Sequence, residues 1–317
     1  MRALLAILLI ALIQSAAAQQ YPTRTIRLIV PFPPAGATDI VGRIVAQKLS
    51  ETLGQPVVVE NRPGAGGTLG SDLAAKAAPD GYTLLIATTS THSIGPVLQK
   101  LPYDPIRDFA PITQVADVPN VLVVSPKLPV KTLQEFVALA RSQPGKLNYA
   151  SSGVGTIVHL NGELFKLIAK ADLVHVPYKG TQLATADLAS GSVAMMVDSL
   201  ASALPNIHSG NVRPLALESP RRSALLPEVP TFAEAGMPEF DLATWFGMFA
   251  PAGTPAGIVA RLQREIAASL KSPEVVERLA AVGADPVGST PAQFVERIRR
   301  DGAKWAEVIR AANIKPQ

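Results

Sequence analysis

Continuously apolar segments alternate with segments of helical periodicity over most of this chain, and this alternation restricts the fold more than any other feature. A strand candidate at Thr25–Phe32 is followed by apolar residues at helical spacing from Ile40 to Leu53, and Gly54 ends that helix. The same order continues with strands at Pro56–Glu60 and Tyr82–Ala87 on either side of a helix at Leu69–Ala78. Such an alternation predicts an α/β fold in which helices cover both faces of a parallel sheet.

The alternation resumes after a proline-rich stretch and then changes character. Strands are predicted at Val121–Val124, Leu147–Ala150, Val174–Val176, Val193–Val197 and Pro214–Leu217, and helices at Leu133–Ser142, Ile157–Ala169 and Thr181–Ala189. Amphipathic helices without intervening strands follow at Ala256–Lys271, Pro273–Val282 and Pro291–Ala312. We therefore expect two lobes, with residues 19–120 and 246–317 in lobe one and residues 121–245 in lobe two.

The N-terminus has the features of an export signal. Met1-Arg2 is followed by the unbroken apolar run Ala3–Ile13 and by the small residues Ala16–Ala18, a typical cleavage site. The run is shorter than the roughly 20 residues of a membrane span, although a retained anchor is the alternative. Residues 1–18 are therefore predicted to be a cleaved signal peptide, leaving 317 − 18 = 299 residues in the periplasm.

Composition and motifs exclude several classes of function. The chain contains no cysteine, so a lipid anchor, disulfides and thiolate metal sites are excluded. Without Arg2 the charge balance is 28 − 25 = +3, which is too small to indicate nucleic acid. Gly64–Gly70 lacks the third glycine of a dinucleotide loop, and no H-E-x-x-H or G-x-S-x-G motif occurs. No metal, no cofactor and no catalytic group is therefore predicted.

The loop Pro31–Asp39 joins the first strand to the first helix and is a candidate ligand site, because ligands of open parallel sheets bind beyond the carboxyl ends of the strands. Its candidate contact residues are Phe32, Pro33, Pro34, Ala35, Gly36 and Asp39. Gly36 allows a bound group to approach the backbone, and the free N–H groups of a helix start favour an anion without Arg or Lys. The competing interpretation of Asp39 is that it caps the helix.

Two further loops follow predicted strands. In Ala150–Thr156 the candidate contacts are Ser152, Gly153, Val154, Gly155 and Thr156, and the alternative is a hydroxyl-capped helix start that needs no ligand. In Thr88–Thr91 the candidates are Thr88 and Thr89, and the alternative is a polar turn. One helix-start loop on each lobe predicts a clamp for an anion.

Six stretches of the chain share the sequence pattern of one family. They are Ile29–Asp39, Val57–Gly70, Leu101–Ile112, Leu147–Phe165, His175–Gly180 and Trp245–Pro255, in the family's order and spanning nearly the whole mature chain. The chain resembles the solute-binding receptors of tripartite tricarboxylate transporters, also called Bug receptors. The resemblance implies a type II periplasmic-binding-protein fold with a ligand cleft between two lobes.

The resemblance also implies site residues. A ligand carboxylate is expected at the loops Phe32–Asp39 and Ser151–Thr156, partly through ordered water, and Asp198 matches a cleft-facing acidic position. Tyr178, within the matching stretch His175–Gly180, is included among the expected contacts. The chain departs from the family pattern at Ala35, Gly95 and Val154, and it has Gln182-Leu183-Ala184 where a proline is usual.

The expected function is that of a receptor for a small carboxylate solute, with the membrane permease subunits of the transporter as its partner. A periplasmic sensor whose closed form contacts a sensor kinase would need the same cleft, so that alternative stays open. An enzyme on this fold is a third class, but the sequence assembles no nucleophile, base and orienting group.

Overall fold

Two β-sheets, each covered by helices, organise the computed structural model, which describes residues 21–240 and 243–314. The first sheet has six strands in the order β11-β4-β10-β3-β1-β2. These strands are β1 (Ile26–Val30), β2 (Val57–Asn61), β3 (Thr83–Thr88), β4 (Phe109–Val118), β10 (Thr244–Pro251) and β11 (Asp285–Pro286). The predicted signal peptide falls on residues outside the described part of the chain.

The second sheet has five strands in the order β7-β6-β8-β5-β9. These strands are β5 (Asn120–Val124), β6 (Asn148–Ser151), β7 (Val174–Pro177), β8 (Met195–Ser199) and β9 (Arg213–Glu218). The helices are α1 (Ala37–Leu53), α2 (Thr68–Ala75), α3 (Gly95–Leu98), α4 (Leu133–Ser142), α5 (Ile157–Ala169), α6 (Thr181–Ser190), α7 (Leu200–His208), α8 (Ala256–Ser269), α9 (Pro273–Ala280) and α10 (Pro291–Ala311). None of the helices in these described ranges is long and apolar enough to cross a membrane.

Both sheets are mixed, so the prediction of parallel sheets is only partly correct. In the first sheet β2, β1 and β3 are parallel, but β10 runs antiparallel to β3 and β4 antiparallel to β10. In the second sheet β7, β6 and β8 are parallel, and β5 is antiparallel to both β8 and β9. The sequence patterns miss β4 and β10, because Pro111 interrupts the first and a turn-rich segment precedes the second.

The chain passes between the sheets at two places. Pro119 alone separates β4 of the first sheet from β5 of the second, and residues 219–243 lead back from β9 to β10. Asn120 and Thr244, at the two crossings, are joined by a 3.1 Å hydrogen bond between the Thr244 hydroxyl and Asn120 Oδ1. The two crossings therefore lie side by side, where a hinge between the lobes would act.

The C-terminal helices pack against the first sheet. Phe294 of α10 is fully buried and meets Trp245 of β10 edge to face, with ring centroids 5.1 Å apart. Further along α10, fully buried Trp305 joins an apolar cluster that contains Leu98 and Val158. Helix α10 therefore packs against both lobes.

We predict that Gly247→Ala destabilises the protein through this contact, because a Cβ at Gly247 would lie 2.0 Å from Phe294 Cζ. Overpacking of this kind typically lowers the free energy of unfolding by about 1–3 kcal/mol. Gly302→Ala, within α10, is the control: its Cβ would be 3.5 Å from Ser93 O. Helix propensity should raise its stability by up to about 1 kcal/mol. Urea unfolding measures both, and equal stabilities would contradict the packing of α10 on β10.

Candidate functional site

A small cavity lies between the two sheets, with a volume of about 60 Å³. From the side of the first sheet it is lined by Phe32, Pro33, Gly36, Ala37, Thr38, Thr88, Ser90, Thr244 and Phe246. From the other side it is lined by Ser152, Ile157, Val158, Gly180, Thr181, Gln182, Asp198, Ser199 and Ser202. One water needs roughly 10–15 Å³ on this scale, so the cavity has room for roughly four to six waters or a comparably small ligand.

The starts of four helices surround this cavity. Residues in or next to the first turns of α1, α5, α6 and α7 all belong to its lining. The first N–H groups of a helix have no acceptor within the helix, and they carry the positive end of its dipole. None of the described lining residues is Lys or Arg. The cavity therefore favours an anion through backbone groups and hydroxyls, the mode of binding that the sequence predicts.

The first predicted loop is held in shape by a buried carboxylate beneath it. Asp39 accepts hydrogen bonds from the backbone N–H of Ala35 at 3.0 Å, from Arg43 Nε at 2.9 Å and from Asn61 Nδ2 at 2.9 Å. Burial opposes ionisation of Asp39, but these hydrogen bonds outweigh it and lower the pKa of the carboxyl. Ala35 adopts a positive φ of 62°, a backbone conformation that is less strained for glycine than for alanine.

The prediction that Asp39 caps the helix is wrong. Helix α1 begins at Ala37 with Gly36 as its N-cap, three residues before the apolar periodicity indicates. Asp39 therefore lies inside the first turn, where a negative charge stabilises the helix start. It is 3 % exposed and is not among the lining residues of the cavity. Its observed role is to hold the loop and the helix together.

The second predicted loop uses both of its glycines in conformations that favour glycine, with φ of 127° at Gly153 and 77° at Gly155. Thr156 caps α5 by accepting the N–H of His159 at 3.4 Å. The N–H of Ile157 donates to Ser90 Oγ across the cleft at 3.0 Å. One free N–H of α5 is therefore satisfied by the opposite lobe, and Val158, in the same first turn, lines the cavity.

Two histidines that are distant in the sequence stack on each other and form hydrogen bonds with this loop. The rings of His159 and His175 are 4.3 Å apart at their centroids. His175 Nε2 is 2.6 Å from Ser151 Oγ, and the N–H of Gly155 donates to His159 Nδ1 at 3.3 Å. Burial, reinforced by the neighbouring His159, lowers the pKa of His175 to about 4. The pair is therefore neutral near pH 7.

The Ser151–His175 pair resembles a catalytic dyad, but its surroundings indicate a structural role. Ser151 is fully buried and its hydroxyl also accepts the N–H of Gly153 at 3.2 Å. It is the neighbouring Ser152 that lines the cavity. A nucleophile must reach the substrate, whereas Ser151 is fully buried and is not among the lining residues of the cavity.

Asp198 is the carboxylate in the cavity wall. Its Oδ1 accepts the N–H of Ser199 at 2.8 Å, and its Oδ2 accepts the hydroxyl of Ser202 at 2.7 Å. Burial raises the pKa of Asp198 to about 6, against the opposing effect of these donors and of the Thr181 hydroxyl. The cavity is thus lined by helix starts, which favour an anion, and on one side by the Asp198 carboxylate, which accepts hydrogen bonds.

The predicted contact residues fall into three groups. Phe32, Pro33, Gly36, Thr88, Ser152 and Asp198 line the cavity. Gly153, Val154 and Tyr178 line a wider opening on one side of the cleft, of about 620 Å³, together with Lys179. Pro34, Ala35, Asp39, Thr89, Gly155 and Thr156 line neither space. The Thr89 hydroxyl instead accepts the N–H of Trp245 at 3.1 Å.

Several lining residues escape the sequence analysis. Gly180–Gln182 follow β7, and Ser199 and Ser202 lie at and after the end of β8, as Ser151–Thr156 do at the end of β6, so the strand-to-helix pattern could have identified them. Ser90 and Thr244 reach the cavity only through the docking of the two lobes. Across the described ranges, no group of three or more His, Cys, Asp or Glu side chains is placed to hold a metal ion.

Comparison with known proteins agrees with this geometry. A family model described as the tripartite tricarboxylate transporter family receptor matches residues 41–314. The protein BugT of Bordetella pertussis is 44 % identical over 300 residues, which cover 94 % of this chain and 92 % of BugT. The chain therefore belongs to the tripartite tricarboxylate transporter receptor family, and the predicted resemblance is confirmed.

Solved relatives share the whole architecture. An R. palustris protein solved with adipate has a TM-score of 0.91 and 38 % identity, covering 94 % of this chain and all of that one. MatC from Rhodopseudomonas palustris with bound malate has a TM-score of 0.86 and 35 % identity, covering 91 % of this chain and all of that one. The predicted two-lobed α/β fold of a periplasmic binding protein is thus confirmed.

We predict that Asp198→Asn stabilises the ligand-free protein at neutral pH but not in acid. Because folding raises the pKa of Asp198 from 3.8 to about 6, the native state loses stability as pH rises between these values. The variant should therefore gain roughly 2–3 kcal/mol over the parent above pH 6, at 1.36 kcal/mol per pKa unit. The gain should vanish below about pH 3.8.

Urea unfolding of both proteins across this pH range measures the difference directly. Asp172→Asn, at an exposed position, is the control and should change stability by less than about 0.5 kcal/mol throughout. A gain for Asp198→Asn that does not depend on pH would mean that the buried charge is not its cause.

Proposed function

We propose that this chain is a periplasmic receptor that closes around a small carboxylate-bearing solute and delivers it to the membrane permease of a tripartite tricarboxylate-type transporter. The observation that carries the proposal is the cavity between the lobes, which helix starts from both lobes surround. Relatives solved with adipate and with malate support a carboxylate as the ligand. The receptor binds its solute without transforming it.

The energetics suit this mode of binding. A helix start contributes about 0.3–1 kcal/mol to anion binding when exposed and up to about 2 kcal/mol when partly buried. Several such ends, with charge-assisted hydrogen bonds from hydroxyl groups, are sufficient for micromolar binding, near −8 kcal/mol. Since the lining includes both lobes, ligand binding favours the closed arrangement.

Calorimetry with adipate and malate, on protein unfolded and refolded to remove any bound solute, tests the ligand class. At least one carboxylic acid in a wider screen should bind in the micromolar range and raise the Tm by several degrees at 100 times Kd. A complete lack of binding across aliphatic and aromatic carboxylic acids would refute the proposal.

Backbone obstruction should weaken binding more than removal of a nearby cation. Gly36→Val places a branched side chain at the start of α1, where a Cβ would already lie 3.1 Å from Gln182 Nε2. Gly36 has φ of −81°, which valine tolerates, so the variant should fold. We expect a loss of affinity of at least about tenfold, whereas Lys179→Ala should cost less than about threefold.

The same titrations decide between the two mechanisms. If Lys179→Ala abolishes binding while Gly36→Val binds normally, a lysine ion pair holds the carboxylate and the helix starts do not. Gly155→Val is a poorer probe, because φ of 77° at Gly155 would strain any branched residue.

Transport is tested separately from binding. Uptake of the bound acid by cells that contain the permease should require this protein and should fall in the Gly36→Val strain. Uptake that persists without the protein, together with a ligand-dependent transcriptional response that is lost, would assign the receptor to signalling.

A further inference from the structure

Gln182 occupies an unusual position in the cavity wall. It is the second residue of α6, and its side chain reaches the start of α1 on the opposite lobe. A Cβ added at Gly36 would lie 3.1 Å from Gln182 Nε2, and one added at Gly180 would lie 3.2 Å from Oε1. The amide group therefore lies across the cleft, beside the helix start proposed to bind the carboxylate.

Within the part of the chain that the structure describes, neither polar atom of this amide has a hydrogen-bond partner. Both Nε2 and Oε1 of Gln182 are shielded from solvent, and no hydrogen bond joins either of them to the described residues. By contrast, Gln134 Nε2 donates to the carbonyl of Ala235 at 2.9 Å. Buried polar groups are nearly always paired, and each unpaired one destabilises the protein by about 1–3 kcal/mol. An unpaired donor and acceptor in a ligand cavity indicate that the ligand completes them.

The chemistry of the amide restricts the ligand group that meets it. Nε2 needs an acceptor and Oε1 needs a donor, and a hydroxyl is both. An ammonium group only donates, so it would leave Nε2 unpaired, and a methylene would leave both atoms unpaired. Asp198, which lines the same cavity, offers a second acceptor for the hydroxyl proton.

We propose that Gln182 determines specificity by selecting carboxylates that carry a hydroxyl group over the same acids without it. This inference rests on the proposed carboxylate-binding function and names the ligand class within it. The carboxylate binds at the start of α1, and the hydroxyl bonds to the Gln182 amide beside it.

Matched acids and one isosteric substitution test the proposal. Calorimetry compares malate with succinate and lactate with propionate, pairs that differ by one hydroxyl, and aspartate replaces that hydroxyl with an ammonium group. The hydroxy acid of at least one pair should bind about tenfold tighter, as expected for the hydrogen bonds of one hydroxyl, and malate should bind tighter than aspartate.

In Gln182→Met, which keeps the length of the side chain but removes the amide, the preference within each pair should fall to about twofold or less. Gln143→Met, the same substitution at an exposed position, should keep the preference of the parent protein. Thermal unfolding of ligand-free Gln182→Met should give a Tm at least as high as that of the parent, because the unpaired amide is gone.

Each outcome separates the two proposals. An unchanged preference in Gln182→Met, or no preference for the hydroxy acids in the parent protein, overturns the role of Gln182 and leaves carboxylate binding intact. Tighter binding of aspartate than of malate overturns it as well. Failure of every carboxylic acid to bind the parent protein overturns the proposed function, and this inference with it.

Discussion

Unpaired N–H groups at the first turns of helices are the constraint on which the cleft depends. Parallel strands send their carboxyl ends to one edge of a sheet, and each following helix begins there. Both sheets present this edge to the same cleft, so the starts of α1, α5, α6 and α7 meet around one cavity. Their N–H groups must bind water, a hydroxyl or a ligand. The bond from Ile157 to Ser90 shows that the lobes satisfy one of these groups mutually.

Buried side chains beneath the loops keep these N–H groups in position. Asp39 holds the first loop from within lobe one, and the stacked pair His159 and His175 supports the second from within lobe two. These side chains line neither the cavity nor its opening. By contrast, the side chain of Gln182 lines the cavity itself, and its amide has no hydrogen-bond partner among the described residues.

The sequence predicts the parts of the structure that local interactions determine. Apolar periodicity together with capping residues predicts α4 and α5 at their observed bounds. The three loops that follow predicted strands identify five lining residues of the cavity, and the family resemblance adds Asp198. The periodicity misses β4 and β10, because their pairing with distant antiparallel strands makes them strands. It also misses Ser90 and Thr244, which reach the cavity only through the docking of the two lobes. The local sequence also cannot distinguish a carboxylate that is paired within the protein, such as Asp39, from one that contacts a ligand.

Helix α10 limits how far the lobes can rotate. Its first half packs on the first sheet through Phe294, and Trp305, about three turns later, is buried with Leu98 of one lobe and Val158 of the other. Opening the cleft must therefore either carry the end of α10 with lobe two or uncover the indole. Uncovering the 150–250 Å² that an aromatic side chain buries would cost roughly 4–6 kcal/mol. Any rotation of the two lobes would thus be restrained by a helix that packs on both of them and whose indole belongs to the same apolar cluster as Val158 in the cavity lining.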